Sequence, residues 1–247
     1  MALGRLASII EQVSELQNAG RECILISSGA QAFGKQKLSQ ELMMSMSMRE
    51  TLQNTSSRDD VMKAMQSTFA RPNAAVGQSG LQALYETMFR NYGIMVAQVL
   101  VTKGDFYNEQ TRAQLFATLQ ELMALNIIPI INTNDAVSPP PQKDDDMGPI
   151  AIKDNDSLAA RVSVEINADL AILMSDVDGI YDKPPSHDNA RVIHTFIPSD
   201  LSKVEFGEKS NVGTGGMESK VNSALWALEN KCSVVICNGM KYDTIRC

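Results

Sequence analysis

The sequence is short of the residues that several kinds of chemistry require. It has one tryptophan, two histidines (His187 and His194) and only 5% aromatic residues overall. Two histidines cannot build a His/Cys zinc cluster by themselves. The four cysteines, Cys23, Cys232, Cys237 and Cys247, include no Cys-x-x-Cys pair and are too sparse in 247 residues to form a disulfide framework. No apolar run approaches the roughly 20 residues needed to cross a bilayer. Basic residues are outnumbered, with Lys+Arg 22 against Asp+Glu 29 and a net charge of −7. A surface that tracks phosphate backbones needs the opposite balance, so a nucleic-acid role is disfavoured. The first residues carry neither the apolar core of a signal peptide nor an Arg-rich transit segment. What remains is an acidic chain of a reducing compartment, with 44% apolar residues, enough for one sizeable core.

The hydrophobic pattern alternates between helix-like and strand-like stretches. Leu6, Ile9, Ile10, Val13 and Leu16 recur at helical spacing, and Gly20 marks the stop. Short apolar runs at 22–27, 94–101, 127–132, 170–174 and 233–237 read as buried strands, with a further strand expected at 192–197. Pro129 is expected near a strand start. Helices are expected at 106–126, 155–166 and 217–231, and loosely connected ones through the Met-, Ser- and Gln-rich stretch 35–75. Met43, Met44, Met46 and Met48 read as adaptable packing. Residues 138–149, with four prolines and Asp144–Asp146, read as an exposed loop whose aspartates are solvated rather than a cation site. This order gives an α/β fold, a mainly parallel sheet between helices, in a single domain spanning 1–247.

In such sheets, ligands bind where strands end and helices begin. Five junctions carry polar or glycine-rich residues: Ser27-Ser28-Gly29-Ala30, Asn132-Thr133-Asn134-Asp135, Lys153-Asp154-Asn155-Asp156-Ser157, Ser175-Asp176-Val177-Asp178-Gly179 and Gly213-Thr214-Gly215-Gly216-Met217-Glu218-Ser219-Lys220. Each has an ordinary explanation as a turn or a helix cap. The last is not a P-loop, because its lysine lies four residues after Gly216. A glycine turn with a lysine one helical turn later still offers N–H groups and a cation to phosphates. Five junctions on one face of the sheet outweigh the separate explanations. His187 and His194 read as solvated, and Trp226 as helix core.

In this order the motifs resemble the amino-acid kinase family, most closely the glutamate 5-kinases, from about residue 3 to about 239. The runs 106–112 and 153–161 and the proline/aspartate loop are more specifically similar to the kinase half of animal delta-1-pyrroline-5-carboxylate synthases. The resemblance implies a three-layer fold and the phosphorylation of the glutamate γ-carboxylate by Mg-ATP, giving glutamyl 5-phosphate, the first step of proline biosynthesis. It implies glutamate on Ser28, Gly29, Ala30, Asp135 and Asn155, and ATP on Ser175, Asp176, Thr214, Gly215, Gly216, Met217, Glu218, Ser219 and Lys220. Lys220 and Asp156 would be catalytic. Lys220 would stabilise the transferring phosphoryl group, and Asp156 would orient the cationic groups. Mg2+ would sit on ATP oxygens and water, with no protein ligand. A homo-oligomer, coupling to a glutamyl-phosphate reductase and a mitochondrial location also follow from the resemblance; the reading without a targeting segment is cytoplasmic. No membrane or nucleic-acid partner is expected.

Two departures qualify the expectation. Members of the family begin with a strand carrying a Lys-x-Gly-Ser/Thr turn, whereas this sequence starts at the following helix and offers no substitute lysine. After Asn238-Gly239 it also leaves the family pattern, and no reductase half follows. The alternative reading is therefore a catalytically inactive kinase-like module for binding or assembly.

Overall fold

The computed structural model describes residues 3–45, 70–138, 152–206 and 216–246. Helix α1 spans Leu3–Asn18, and the short strand β1, Leu25–Ile26, leads into α2, Ala30–Ser45. Helix α3 is Ala70–Arg90, followed by β2, Met95–Val101, by α4, Gly104–Tyr107, and by α5, Glu109–Ala124. Strand β3 is Ile127–Thr133, and α6 is Asn155–Glu165. Strands β4, Leu170–Ser175, β5, Ile180–Tyr181, and β6, Val192–Ile193, precede a 3-10 turn at Pro198–Lys203. Helix α7, Met217–Glu229, and β7, Ser233–Asn238, come last.

The parallel strands are shared between two sheets among the described residues, one ordered β1-β3-β2 and the other pairing β4 with β7. Strand β3 is central, and its two-residue period decides what covers it. Ile128 and Ile130 face Ile10 and Val13 of α1 and Leu81, Tyr85 and Phe89 of α3. Ile131 faces the other way, onto Phe116 and Leu119 of α5 and Leu158 and Val162 of α6. Helix, sheet and helix thus stack as three layers, the architecture expected from the sequence. Helix α6 contacts both β1 and β4, and so joins the two sheets. On its far side Ala160 packs with Ala171, Ala227 and Cys232, which brings α7 alongside α6.

Several boundaries differ from the sequence expectation for local physical reasons. The helix expected at 106–126 breaks at Asn108, which takes an extended conformation and caps α5 by accepting from the Thr111 N–H. The expected strand 192–197 shrinks to a two-residue antiparallel pairing with β5. Pro129 lies inside the central strand, not at its start. Ile131 C=O accepts from Ser27 N–H, so residue 129, of the same parity, also faces β1. Strand β1 begins only at Leu25, opposite Ile130, so the missing proline N–H deprives no partner. Met44 is 73% exposed and is not core packing; Met46, Met48, the Asp144–Asp146 loop and most of 138–149 lie outside the described residues. Trp226 packs in the α6–α7 core with the Arg161 guanidinium 5.9 Å above its ring.

Candidate active site

The C-terminal ends of β1 and β3 and the starts of α2 and α6 meet in one place. Gly29 turns the chain between β1 and α2 with φ +92°, a left-handed conformation that suits glycine. The Asn155 side-chain amide donates to Ser27 C=O at 2.9 Å, tying α6 to the end of β1. Gln31, in the first turn of α2, donates to Asp135 Oδ2 at 2.9 Å, and the Thr133 hydroxyl donates to Asp135 Oδ1 at 2.7 Å. Ser28, Gly29, Ala30, Asp135 and Asn155 are therefore brought together, as the sequence suggested. Both Asp135 oxygens have neutral donors, which leaves the carboxylate charge available to an ammonium group. A cavity of about 270 Å³ opens here, lined by Ala30, Gln78, Ser79, Gln98, Thr133, Asn134 and Asp135 among others. Beneath it, buried Asn132 donates to Gln78 at 2.9 Å.

The starts of α6 and α7 face each other across a second set of contacts. Lys220 Nζ lies 2.6 Å from Asp156 Oδ1, and the lysine is buried to 9% exposure. One residue back on α7, the Ser219 hydroxyl donates to Asp154 Oδ2 at 2.5 Å. Asp154 also caps α6: its Oδ1 accepts from Ser157 N–H at 2.9 Å, and the Ser157 hydroxyl accepts from Asp154 N–H at 3.0 Å. Burial alone would raise the Asp154 carboxyl, but the hydrogen bonds from Ser219 and Ser157 outweigh it and hold the group below its ordinary range. At α7 the cap residue is Gly216, in extended backbone with no side-chain cap bond. The first N–H groups of α7 therefore point toward the site without a capping side chain, next to Lys220.

Ser175 and Asp176 end β4, and Ser175 pairs in register with Asn238 at the end of β7. Burial pushes the Cys237 thiol up, and the Lys220 cation opposes that rise. Asp176 is exposed and lies on this same end of the sheet. Thr214 and Gly215 fall outside the described residues. A cavity of about 220 Å³ runs beside β7, between Val221, Leu225 and Leu228 of α7, Ile180 and Val192 of the β5–β6 pair, and Phe196, with Asp178 and His194 also in its lining.

Sequence reasoning gave Gln31, Gln78 and Asn238 no role, placed Asn132 in a strand-end motif without a partner, and treated Asp154 as one cap in a motif. Asn132 and Asn238 each stand at the end of a parallel strand, which was the available signal. Gln31 and Gln78 had none, because their roles arise from contacts made across 104 and 54 residues of chain. His187 and His194 are exposed, as anticipated, and among the described residues Cys23, Cys232 and Cys237 are free.

Comparison with known proteins shows the family. Residues 2–238 match the model of the amino acid kinase family. Delta-1-pyrroline-5-carboxylate synthase 1 of Oryza sativa subsp. japonica is 41% identical over 246 residues, covering 99% of this chain and 33% of that protein. The chain thus spans about a third of the length of the plant synthases it matches. Glutamate 5-kinase of Clostridium acetobutylicum is 36% identical over 98% of this chain and 81% of its own length. Among solved structures, carbamate kinase from Giardia lamblia bound to AMP-PNP superposes with a TM-score of 0.60 at 14% identity, covering 95% of this chain and 82% of that one. An isopentenyl phosphate kinase gives 0.57 at 15% identity, covering 99% and 85%. At such identities the structural likeness speaks for the fold alone.

Proposed function

This chain belongs to the amino acid kinase family, and from that premise we propose that it phosphorylates the γ-carboxylate of glutamate with Mg-ATP, forming glutamyl 5-phosphate and ADP. The observation that carries the proposal is the meeting of the α6 and α7 starts. There Lys220, held by Asp156, stands between a cluster suited to an amino acid and a helix start suited to phosphate.

Both reactants are anions, so the barrier is mostly positioning and charge neutralisation. A carboxylate nucleophile is already ionised, and no general base is needed. Asp135, which lines the cavity with Ala30, would pair with the glutamate ammonium group, and Ser28, Gly29 and Asn155 would contact the substrate from the adjoining ends of β1 and α6. The γ-carboxylate would then point toward Asp156 and Lys220. On the other side, the N–H groups at the start of α7 and those of Gly215 and Gly216 would hold phosphate oxygens, and Ser175-Asp176 would flank the nucleotide. The cavity beside β7, with the side chains of Val221, Leu225 and Val192 on its walls, would take a flat base. Magnesium bound to the ATP oxygens would supply further charge neutralisation. Lys220, released from Asp156 toward the γ-phosphate, would stabilise the charge that spreads over the transferring group. In this reading Asp156 keeps Lys220 aimed and is not a proton acceptor.

Glutamate-dependent ADP release should be measurable, and Lys220→Ala should lower it by about 10²–10³-fold, the scale for losing one group that stabilises transition-state charge. Folded protein that binds glutamate but releases no ADP would instead support the inactive-module reading.

A further inference from the structure

Residues after β7 turn back across the molecule and make more specific contacts than a solvated segment needs. Gly239 N–H donates to Ser175 C=O at 2.8 Å. The Asn238 side chain donates to Asp178 at 2.7 Å, and Lys241 Nζ lies 2.9 Å from the same Asp178 oxygen. The Asn238 Oδ1 accepts from Met240 N–H at 2.8 Å, and its C=O accepts from the Thr244 hydroxyl at 2.5 Å. The loop that follows β4 is therefore pinned at both Ser175 and Asp178 by neighbours from 238–241.

The same segment is anchored at its other end to α1. Gln12, only 1% exposed, donates to Tyr242 C=O at 2.8 Å and accepts from Ile245 N–H at 2.8 Å. The Ser8 hydroxyl donates to the same Tyr242 carbonyl at 2.5 Å. Ile245 packs against the α1–α3 core, and Arg246 pairs with Glu15. A helix face that buries a carboxamide gives it partners. Here the partners are the backbone of 242–245.

We propose that residues 238–246 form a strap that holds the loop Ser175–Gly179 in its nucleotide-ready shape, with Lys241 and Gln12 as its positioning residues. The proposal rests on the assignment of Ser175 and Asp176 to the nucleotide, and it adds a mechanical link between α1 and that loop. Lys241 and Asp178 are 57% and 41% exposed, so their ion pair alone is weak, and the two ends of the strap should contribute unequally. The buried Gln12 anchor carries more, because losing its carboxamide leaves the Ile245 N–H without its partner and the Tyr242 C=O with the Ser8 hydroxyl alone.

The test uses hydrogen exchange at the 175–180 amides of the full chain, together with Mg-AMP-PNP and glutamate affinities. Lys241→Ala should speed exchange of the loop and weaken Mg-AMP-PNP binding by about two- to fivefold, the range for an exposed ion pair. Lys241→Arg should restore both. Gln12→Leu, of similar volume, should give roughly a tenfold effect on the same readouts. Glutamate affinity should stay within about twofold in each variant. Unchanged loop exchange in folded Lys241→Ala and Gln12→Leu proteins would overturn the strap. Faster loop exchange in a protein whose parent does not bind Mg-AMP-PNP would support the strap and remove the nucleotide assignment instead.

Discussion

At the start of α6, one carboxylate meets two requirements: Asp154 caps its own helix through Ser157 and reaches across to Ser219 on α7. Replacement by Asn keeps a capping oxygen but loses the charge that strengthens both bonds. The folded-state pKa of Asp154 lies below its unfolded value, so the carboxylate stabilises the fold above the ordinary range of an aspartate. That contribution fades as pH falls through the lowered folded pKa. Chemical denaturation should therefore show wild type more stable than Asp154→Asn at pH 7, with the gap narrowing as pH falls below about 4. An unchanged gap in acid would remove the charge from the account. Ser219→Ala leaves the cap intact and cuts only the cross-helix bond. It should reduce turnover more than it reduces stability, because Lys220 is the next residue along. Sequence motifs marked Asp154 and Ser219 at helix starts, but not as partners. Their pairing spans 65 residues and exists only because α6 and α7 pack side by side.

Among elements, the fit between α2 and α3 is the tightest. A Cβ on Gly77 would lie 1.8 Å from the Ala30 carbonyl oxygen, and one on Gly34 would lie 1.8 Å from that of Asn73. Neither neighbour is a side chain that can swing away, so the helices themselves would have to separate. Gly77→Ala should destabilise by about 1–3 kcal/mol or more, as overpacked sites do. It should also raise the glutamate KM, since α2 begins at Ala30 and carries Gln31 against Asp135. Wild-type stability and KM in that variant would show that the close contact is not needed. Leu158, fully buried on the sheet-facing side of α6, offers a comparison, with Leu158→Ala expected to cost about 2–5 kcal/mol in a denaturant titration. Strand and helix periodicity was enough to read α1, β2, β3, α5 and α6 within a few residues. The break at Asn108 and the shortness of β1 and β6 were not legible. Hydrophobicity reports which face is buried, whereas these boundaries depend on a cap bond and on where neighbouring strands begin and end. Pro129 was misplaced for the same reason.

For the whole molecule, the parallel ladder divides into two sheets with α6 across both, and the candidate site lies where their C-terminal ends adjoin. The sheet of β1, β3 and β2 supplies the pocket suited to an amino acid, and the sheet of β4 and β7 supplies the side suited to a nucleotide. Helices α6 and α7 bring Asp156 and Lys220 between them. A ligand that engages either side stabilises the folded state by mass action, about 2.7 kcal/mol at 100 times its Kd. Glutamate and Mg-ATP should each raise Tm, and a nucleotide without the γ-phosphate should do so in Lys220→Ala nearly as well as in wild type. The central claim concerns where the phosphoryl group goes, and an isotope can report it. With both γ-carboxylate oxygens of glutamate labelled with 18O, the product should be trapped by hydroxylamine, which attacks the acyl carbon and releases phosphate. The account predicts glutamyl hydroxamate together with phosphate carrying one 18O, resolved by 31P NMR. Phosphate released without label would mean that water, not the glutamate carboxylate, accepts the phosphoryl group, and would contradict it.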